Sequence, residues 1–138
     1  MSETGVTFES IEPGDELPTT TVELTAERVA AFARSIDMGF ARFTDPEGAK
    51  REGLPGQIAP GNMTLSLLAR ELLAWVPGAR LTRLGTTFRG LAVAGGTVHL
   101  QGTVTEKDEE RRSVECDVWM ENPDGDRLVI GTATLSFA

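Results

Sequence analysis

The 138-residue sequence is poor in the side chains from which catalytic and structural sites are commonly assembled: one cysteine, one histidine and no tyrosine. A lone Cys116 excludes an internal disulfide and fits a reducing cytoplasm. With a single imidazole, His99, general acid–base chemistry must rest mainly on carboxylates. Basic residues are also scarce, 13 Lys and Arg against 21 Asp and Glu, for a formal net charge of −8. That balance argues against nucleic acid, which requires clustered cations, and against an anionic membrane surface. It leaves room for a small anion met by a few local arginines. No leader is expected: Met1 to Gly14 carries neither a basic flank nor an apolar core. The longest apolar run, Met63–Val76, is too short to span a bilayer. Repeats, low-complexity tracts and linkers are lacking too, so residues 1–138 are expected to form a single domain.

That apolar run organises the rest. Pro60-Gly61-Asn62 opens it and Pro77-Gly78 closes it. Leu65, Leu68, Leu72 and Val76 recur at helical spacing, and Leu67, Leu73 and Trp75 widen the stripe. Only Arg70 and Glu71 give the helix a wet side, so something must wrap around it.

Before it, Phe8 and Ile11 are candidates for the core, and Thr19–Leu24 reads as a strand. Thr25 is an N-cap for a helix over Ala26–Ile36, with Val29, Phe32, Ala33 and Ile36 as its apolar face. Asp37–Phe43 reads as loop, and Asp45-Pro46-Glu47 starts a short helix that Gly53 ends. Leu54–Gly61 is a second loop.

After it, alternation predicts strands over Leu81–Leu91, Thr97–Thr105, Ser113–Glu121 and Val129–Phe137. Read as consecutive hairpins, they make an antiparallel meander with one buried face. Cys116 falls on that face and His99 on the polar one. Arg80, Arg83 and Arg89 are either a solvated strand face or contacts for a phosphate-bearing carrier, and Lys107–Arg112 is a charged hairpin tip. The fold class is therefore α+β, an antiparallel sheet wrapped around a long central helix. A single curved sheet leaves edges open, and pairing with a second copy would cover them.

Three segments carry a resemblance. Phe32-Ala33-Arg34-Ser35-Ile36-Asp37, Thr44-Asp45-Pro46-Glu47-Gly48-Ala49-Lys50 and Gly53-Leu54-Pro55-Gly56-Gln57-Ile58-Ala59-Pro60-Gly61-Asn62-Met63-Thr64 resemble the MaoC-like dehydratases, the (R)-specific enoyl-thioester hydratases of hot-dog fold. Glu12-Pro13-Gly14-Asp15 resembles the family's opening turn, and the stretch from Phe88 to Val98 its strand entering the sheet. The resemblance implies a hot-dog domain acting on acyl esters of coenzyme A or acyl carrier protein, in fatty-acid or polyketide metabolism, with no cofactor and no metal. In that chemistry a carboxylate and an imidazole hold the water that adds across a conjugated double bond. Backbone amides at the start of the central helix polarise the thioester carbonyl.

By this resemblance Asp37 takes the place of the motif's aspartate, and is either the catalytic carboxylate or a simple helix terminator. The next residues depart from the family's D-x-N-P-x-H. They are Met38-Gly39-Phe40-Ala41-Arg42-Phe43-Thr44-Asp45, with Arg42 and Phe43 at the imidazole position. Pro60 stands where the family has a histidine before the glycine. Gly61 and Asn62 are the expected acyl-carbonyl contacts, and Arg42, Phe43 and Pro60 complete the candidate substrate surroundings.

Three functions are open to such a chain. The first is a hydratase or dehydratase, weakened or diverted to isomerase- or cyclase-like chemistry by the missing imidazole. The second is a non-catalytic hot-dog subunit that binds the acyl chain beside an active paralogue. The third is a ligand-binding or regulatory module using the same tunnel. A homodimer is expected for the first and a heterodimer for the second.

Overall fold

Helix α4 (Gly61–Trp75) is the longest in the chain, and most of the fold is arranged to bury it. The computed structural model describes residues 5–138; residues 1–4, where the reading for a leader begins, lie outside the described residues. Met63, Thr64, Leu67, Leu68, Leu72 and Trp75 form the buried stripe of α4, with Val76 continuing it beyond the last turn. The stripe is narrower than the composition suggested. Leu65 is only half-buried and Leu73 is exposed.

The partner of that stripe is a five-stranded antiparallel sheet of β1 (Thr20–Leu24), β2 (Arg80–Phe88), β3 (Gly96–Asp108), β4 (Ser113–Glu121) and β5 (Arg127–Ser136). Its order is β1-β3-β4-β5-β2. Alternation sets which side chains face α4. Leu100 and Val104 of β3, Val114, Cys116, Val118 and Met120 of β4, and Val129, Ala133 and Leu135 of β5 are all buried in one core. This is the hot-dog arrangement that the resemblance implied, with one correction to the connectivity. The expected run of four hairpins holds only for β3-β4-β5. Strand β2 pairs with β5, Leu84 opposite Ala133 and Thr86 opposite Gly131, at the far edge from β1. The connection from β2 to β3 is no tight turn: Arg89 and Gly90 both donate to the Leu128 carbonyl, and the chain then crosses to the other half of the sheet. Gly131 is required where β2 meets β5, because a Cβ there would lie 2.4 Å from the Gly85 carbonyl oxygen.

Helix α1 spans Ala26–Ser35, with Thr25 accepting from the Arg28 amide as its cap. Val29, Ala30 and Ala33 are buried, whereas Ile36 lies past the helix end and is exposed. The stretch expected as loop contains a four-residue helix, α2 (Ala41–Thr44), which buries Phe43. Helix α3 (Pro46–Arg51) follows, with Asp45 accepting from the Glu47 amide. The N-terminal turn at Phe8–Ser10 buries Phe8 as expected. Its ring packs on Phe137 and lies under Lys107 and Arg112. The basic residues at the β3–β4 hairpin therefore clamp the N-terminal segment rather than merely facing water.

One buried amide stitches the layer in front of α4. Gln57 is 3% exposed, and its Nε2 donates to the Ala26 carbonyl at 3.0 Å and the Phe43 carbonyl at 2.8 Å. Its main chain also accepts from Ala94. Gln57 thus joins α1, α2, the loop before α4 and the segment before β3. Gln57→Ala takes this donor from the buried Phe43 carbonyl and should cost about 1–3 kcal/mol, read from urea unfolding.

Glu71 offers a second check. It is half-buried on α4 and accepts a hydrogen bond from the Thr20 hydroxyl. Burial pushes its carboxyl above the ordinary value of 4.5, while the Thr20 hydrogen bond and the Arg70 charge partly oppose that shift. A carboxyl raised in the native state gives stability that is full below 4.5 and is lost as pH rises through its native value. Glu71→Gln removes that loss. The variant should unfold at a higher temperature than the parent at pH 7, and the difference should shrink as the pH is brought below 4.5.

Candidate functional site

Asp37 ends α1 in a way its sequence position only hinted at. It has φ 59°, a left-handed conformation in which glycine is the usual residue and aspartate is tolerated. Its amide donates to the Arg34 carbonyl at 3.2 Å, and the Met38 amide donates to the Ala33 carbonyl at 2.7 Å. These paired bonds close the helix and turn the chain abruptly away. Asp37 itself is exposed to solvent.

The turn brings the loop to α4. Asn62 Nδ2 lies 3.9 Å from Met38 Sδ, so the residue after Asp37 touches the first turn of α4. That turn is built to leave charge unsatisfied. Its N-cap is Pro60, which offers no capping side chain, and no acidic residue occupies the first turn. Among the described residues, the first backbone bonds are those from Met63 and Thr64 to the Pro60 carbonyl. The Gly61 and Asn62 amides have no acceptor among the described residues, and the positive end of the helix dipole coincides with them. The loop leading in is pinned by Ile58 donating to the Arg42 carbonyl and Ala59 donating to the Ala92 carbonyl.

Gly61 serves a purpose that sequence reading missed. A Cβ on it would lie 2.6 Å from Phe88 Cζ, so its Cα is covered by that aromatic ring. Phe88, the last residue of β2, is 57% exposed and closes over the start of α4. No signal in the sequence distinguishes it from a core phenylalanine, because its partner, Gly61, lies on a separate element far back along the chain.

The two residues at the imidazole position are otherwise engaged. Arg42 Nη2 pairs with Glu52 Oε1 at 2.7 Å. Phe43 is buried with Ala33 and Ile58, against Met38 and Leu54. His99 lies on β3, with Nδ1 3.0 Å from the Thr21 hydroxyl. Cys116 is buried, and burial pushes its thiol up to about 12, which leaves no thiolate at neutral pH. No group of three or more potential metal ligands occurs among the described residues.

A cleft of about 580 Å³ runs beside this loop, between α1 and α4. Val22, Phe32, Met63 and Leu67 line its apolar middle, and Arg28 and Arg70 stand at its β1 end. Arg70, expected only to wet one side of the helix, therefore faces a cavity. Among the described residues, no helix is long and apolar enough to cross a membrane.

Comparison with solved structures finds the same architecture repeatedly. A MaoC-like dehydratase superposes with a TM-score of 0.87 at 27% identity over 95% of this chain, which spans only 42% of that protein. An (R)-hydratase from A. caviae involved in PHA biosynthesis gives 0.85 at 22% identity, over 94% of this chain and 99% of that one. The ChsH1-ChsH2 complex from Mycobacterium tuberculosis gives 0.84 at 20% identity, over 92% and 98%. No curated protein sequence matches. Residues 8–122, a span that holds both the Asp37 turn and the start of α4, match the family model described as MaoC like domain, and the chain belongs to that family.

Proposed function

We propose that this chain acts on acyl thioesters as a hydratase or dehydratase with Asp37 as its one side-chain acid–base group. The observation that carries this reading is a juxtaposition. An aspartate occupies a left-handed helix terminus where glycine is the default, and the next residue touches a helix start with two unused amides. The Gly61 and Asn62 amides would donate to the thioester carbonyl oxygen and stabilise the enolate that forms as water adds. Asp37 would take a proton from that water as its oxygen bonds to the β-carbon, and would return a proton to the α-carbon of the enolate, leaving the hydroxyacyl thioester and the carboxylate as it began. Pro60 fixes the entry to α4, and Phe88 shields the Gly61 face from solvent. With Arg42 and Phe43 engaged elsewhere, no imidazole assists. Losing one positioned acid–base group costs about 10²–10⁴-fold, so turnover is slow relative to an intact pair. Residues 1–138 act as one domain, in the cytoplasm, without cofactor or metal.

The protein works as a dimer in this reading. Strand β2 ends one edge of the sheet with Phe88 exposed, and Leu91 and Val93 leave apolar surface exposed on the connection that follows it.

A second reading has its own support. The engagement of Arg42 by Glu52 and the burial of Phe43 favour a subunit that holds an acyl chain beside an active paralogue. Enoyl-CoA esters of graded length, starting with crotonyl-CoA, separate the two through loss of enoyl absorbance. Turnover by the isolated chain that falls at least about 10²-fold in Asp37→Asn supports the enzyme. The companion variant Asp37→Gly should be as stable as the parent or more so, because glycine suits the left-handed position, while also losing turnover. Turnover that survives both substitutions refutes the role of Asp37. Silence alone, with activity restored by a co-expressed hot-dog partner, supports the subunit.

A further inference from the structure

We infer that the cleft between α1 and α4 receives an acyl chain whose far end carries a carboxylate, bound by Arg28 and Arg70. The inference rests on the thioester reading above and specifies its substrate class.

The two helices lie antiparallel across the cleft. At one end Asn62 touches Met38, just beyond Ser35 in the cleft wall. At the other end Arg28 and Arg70 together border the adjoining depression with Thr20 and Thr21. From Met63 to Arg70 the axis of α4 advances about 10 Å, which separates the arginines from the free amides of Gly61 and Asn62. A thioester carbonyl at those amides therefore directs its acyl chain toward the arginines.

The middle of the cleft asks for no polar ligand. Its wall is Val22, Phe32, Met63 and Leu67. The two hydroxyls that border it are satisfied within their own helices, Ser35 by the Phe32 carbonyl at 2.7 Å and Ser66 by the Asn62 carbonyl at 2.8 Å. Methylene groups suit such a wall. A pantetheine arm does not, because its amides would lose water without gaining partners.

The far end is cationic by construction. Arg28 donates to the Glu23 carbonyl at 3.2 Å, which orients its guanidinium without neutralising it. Neither Arg28 nor Arg70 has a carboxylate within ion-pair distance among the described residues, although Arg42, Arg51, Arg111 and Arg112 each do. Glu23 shares the rim, and Glu71, bonded to the Thr20 hydroxyl, feels the Arg70 charge without forming an ion pair with it, so both guanidinium forks keep donors for a ligand. A planar carboxylate fits the guanidinium fork with paired hydrogen bonds.

Two thioesters differing only at the chain end test this: trans-2-hexenoyl-CoA and its counterpart with a terminal carboxylate. Calorimetric titration of the intact protein should show the carboxylate form binding about tenfold tighter or more, the worth of one charge-assisted hydrogen bond. In the double variant Arg28→Gln, Arg70→Gln, the ratio should collapse toward one. Equal binding of both esters by the parent overturns the inference and leaves the thioester reading standing. Weaker binding of coenzyme A alone by the double variant assigns the arginines to the carrier's phosphates and also overturns it. Failure of both esters to bind defeats the thioester reading itself.

Discussion

Burying one face of α4 in the concave side of the sheet is the interaction on which the other features depend. Leu68, Leu72 and Val76 are almost completely enclosed, and each such side chain contributes about 1.5–3 kcal/mol when taken from water. The sheet must curve and approach closely to do this, and Gly131 marks the spot where β5 meets β2 with no room for a methyl group. Once α4 is fixed on that side, its first turn is fixed in space. It emerges at the edge of the core with its leading amides unpaired, and a structural demand thereby creates a chemical feature. The same burial that stabilises the fold holds the positive end of the helix rigid without any counter-charge from its own first turn.

The layer in front of α4 is held differently. It contains few large side chains, and its second small core is Ala33, Phe43 and Ile58 with Met38 and Leu54 around it. Cohesion comes from directed bonds: the Gln57 amide, the Ile58–Arg42 and Ala59–Ala92 contacts, and the paired bonds that end α1 at Asp37. Hydrogen bonds fix direction more sharply than they add stability. A loop held this way keeps Met38 against the start of α4 while Asp37 remains open to solvent. Asp37 is exposed, and so are its chain neighbours Ile36 and Phe40.

Much of the fold was legible in the sequence because it is written in periodicity. Strand β4 alternates along its whole length and β3 as far as Val104, and the buried set Val114, Cys116, Val118 and Met120 followed directly from position. The caps at Thr25 and Asp45 were equally direct, since each is a local hydrogen bond made within a few residues. Strand order was not legible. Alternation says nothing about which neighbour β2 chooses, and β2 bonds to β5 past the whole of β3 and β4. The short α2 helix was missed because four residues give no period to detect. In the candidate site, Asp37, Gly61 and Asn62 were singled out through resemblance of short motifs. Phe88, Gln57 and the pairing of Arg28 with Arg70 across a cleft were not, since each depends on contacts between distant segments. A lone arginine in an apolar helix reads as a solvated edge until the opposite wall is known.

The absent imidazole is best understood as a rebuilt loop rather than a single substitution. If Phe43 merely replaced a catalytic histidine, its ring would be expected at the mouth of the site. Instead it is buried among Ala33 and Ile58, and its carbonyl accepts from the Gln57 side chain. An imidazole in that pocket would be desolvated and held neutral, and it would weaken a cluster that has few other large members. Arg42, the neighbour, supplies the carbonyl that receives Ile58 and a guanidinium tied to Glu52. Both residues are therefore structural members of the layer that positions α4. The short α2 helix, the Gln57 stitch and the apolar anchor at Phe43 form one device that fixes the loop without a polar motif. A chain so arranged has moved its positioning task from a catalytic side chain to packing. In the reading proposed above, the chemistry then rests on Asp37 and on the amides of Gly61 and Asn62.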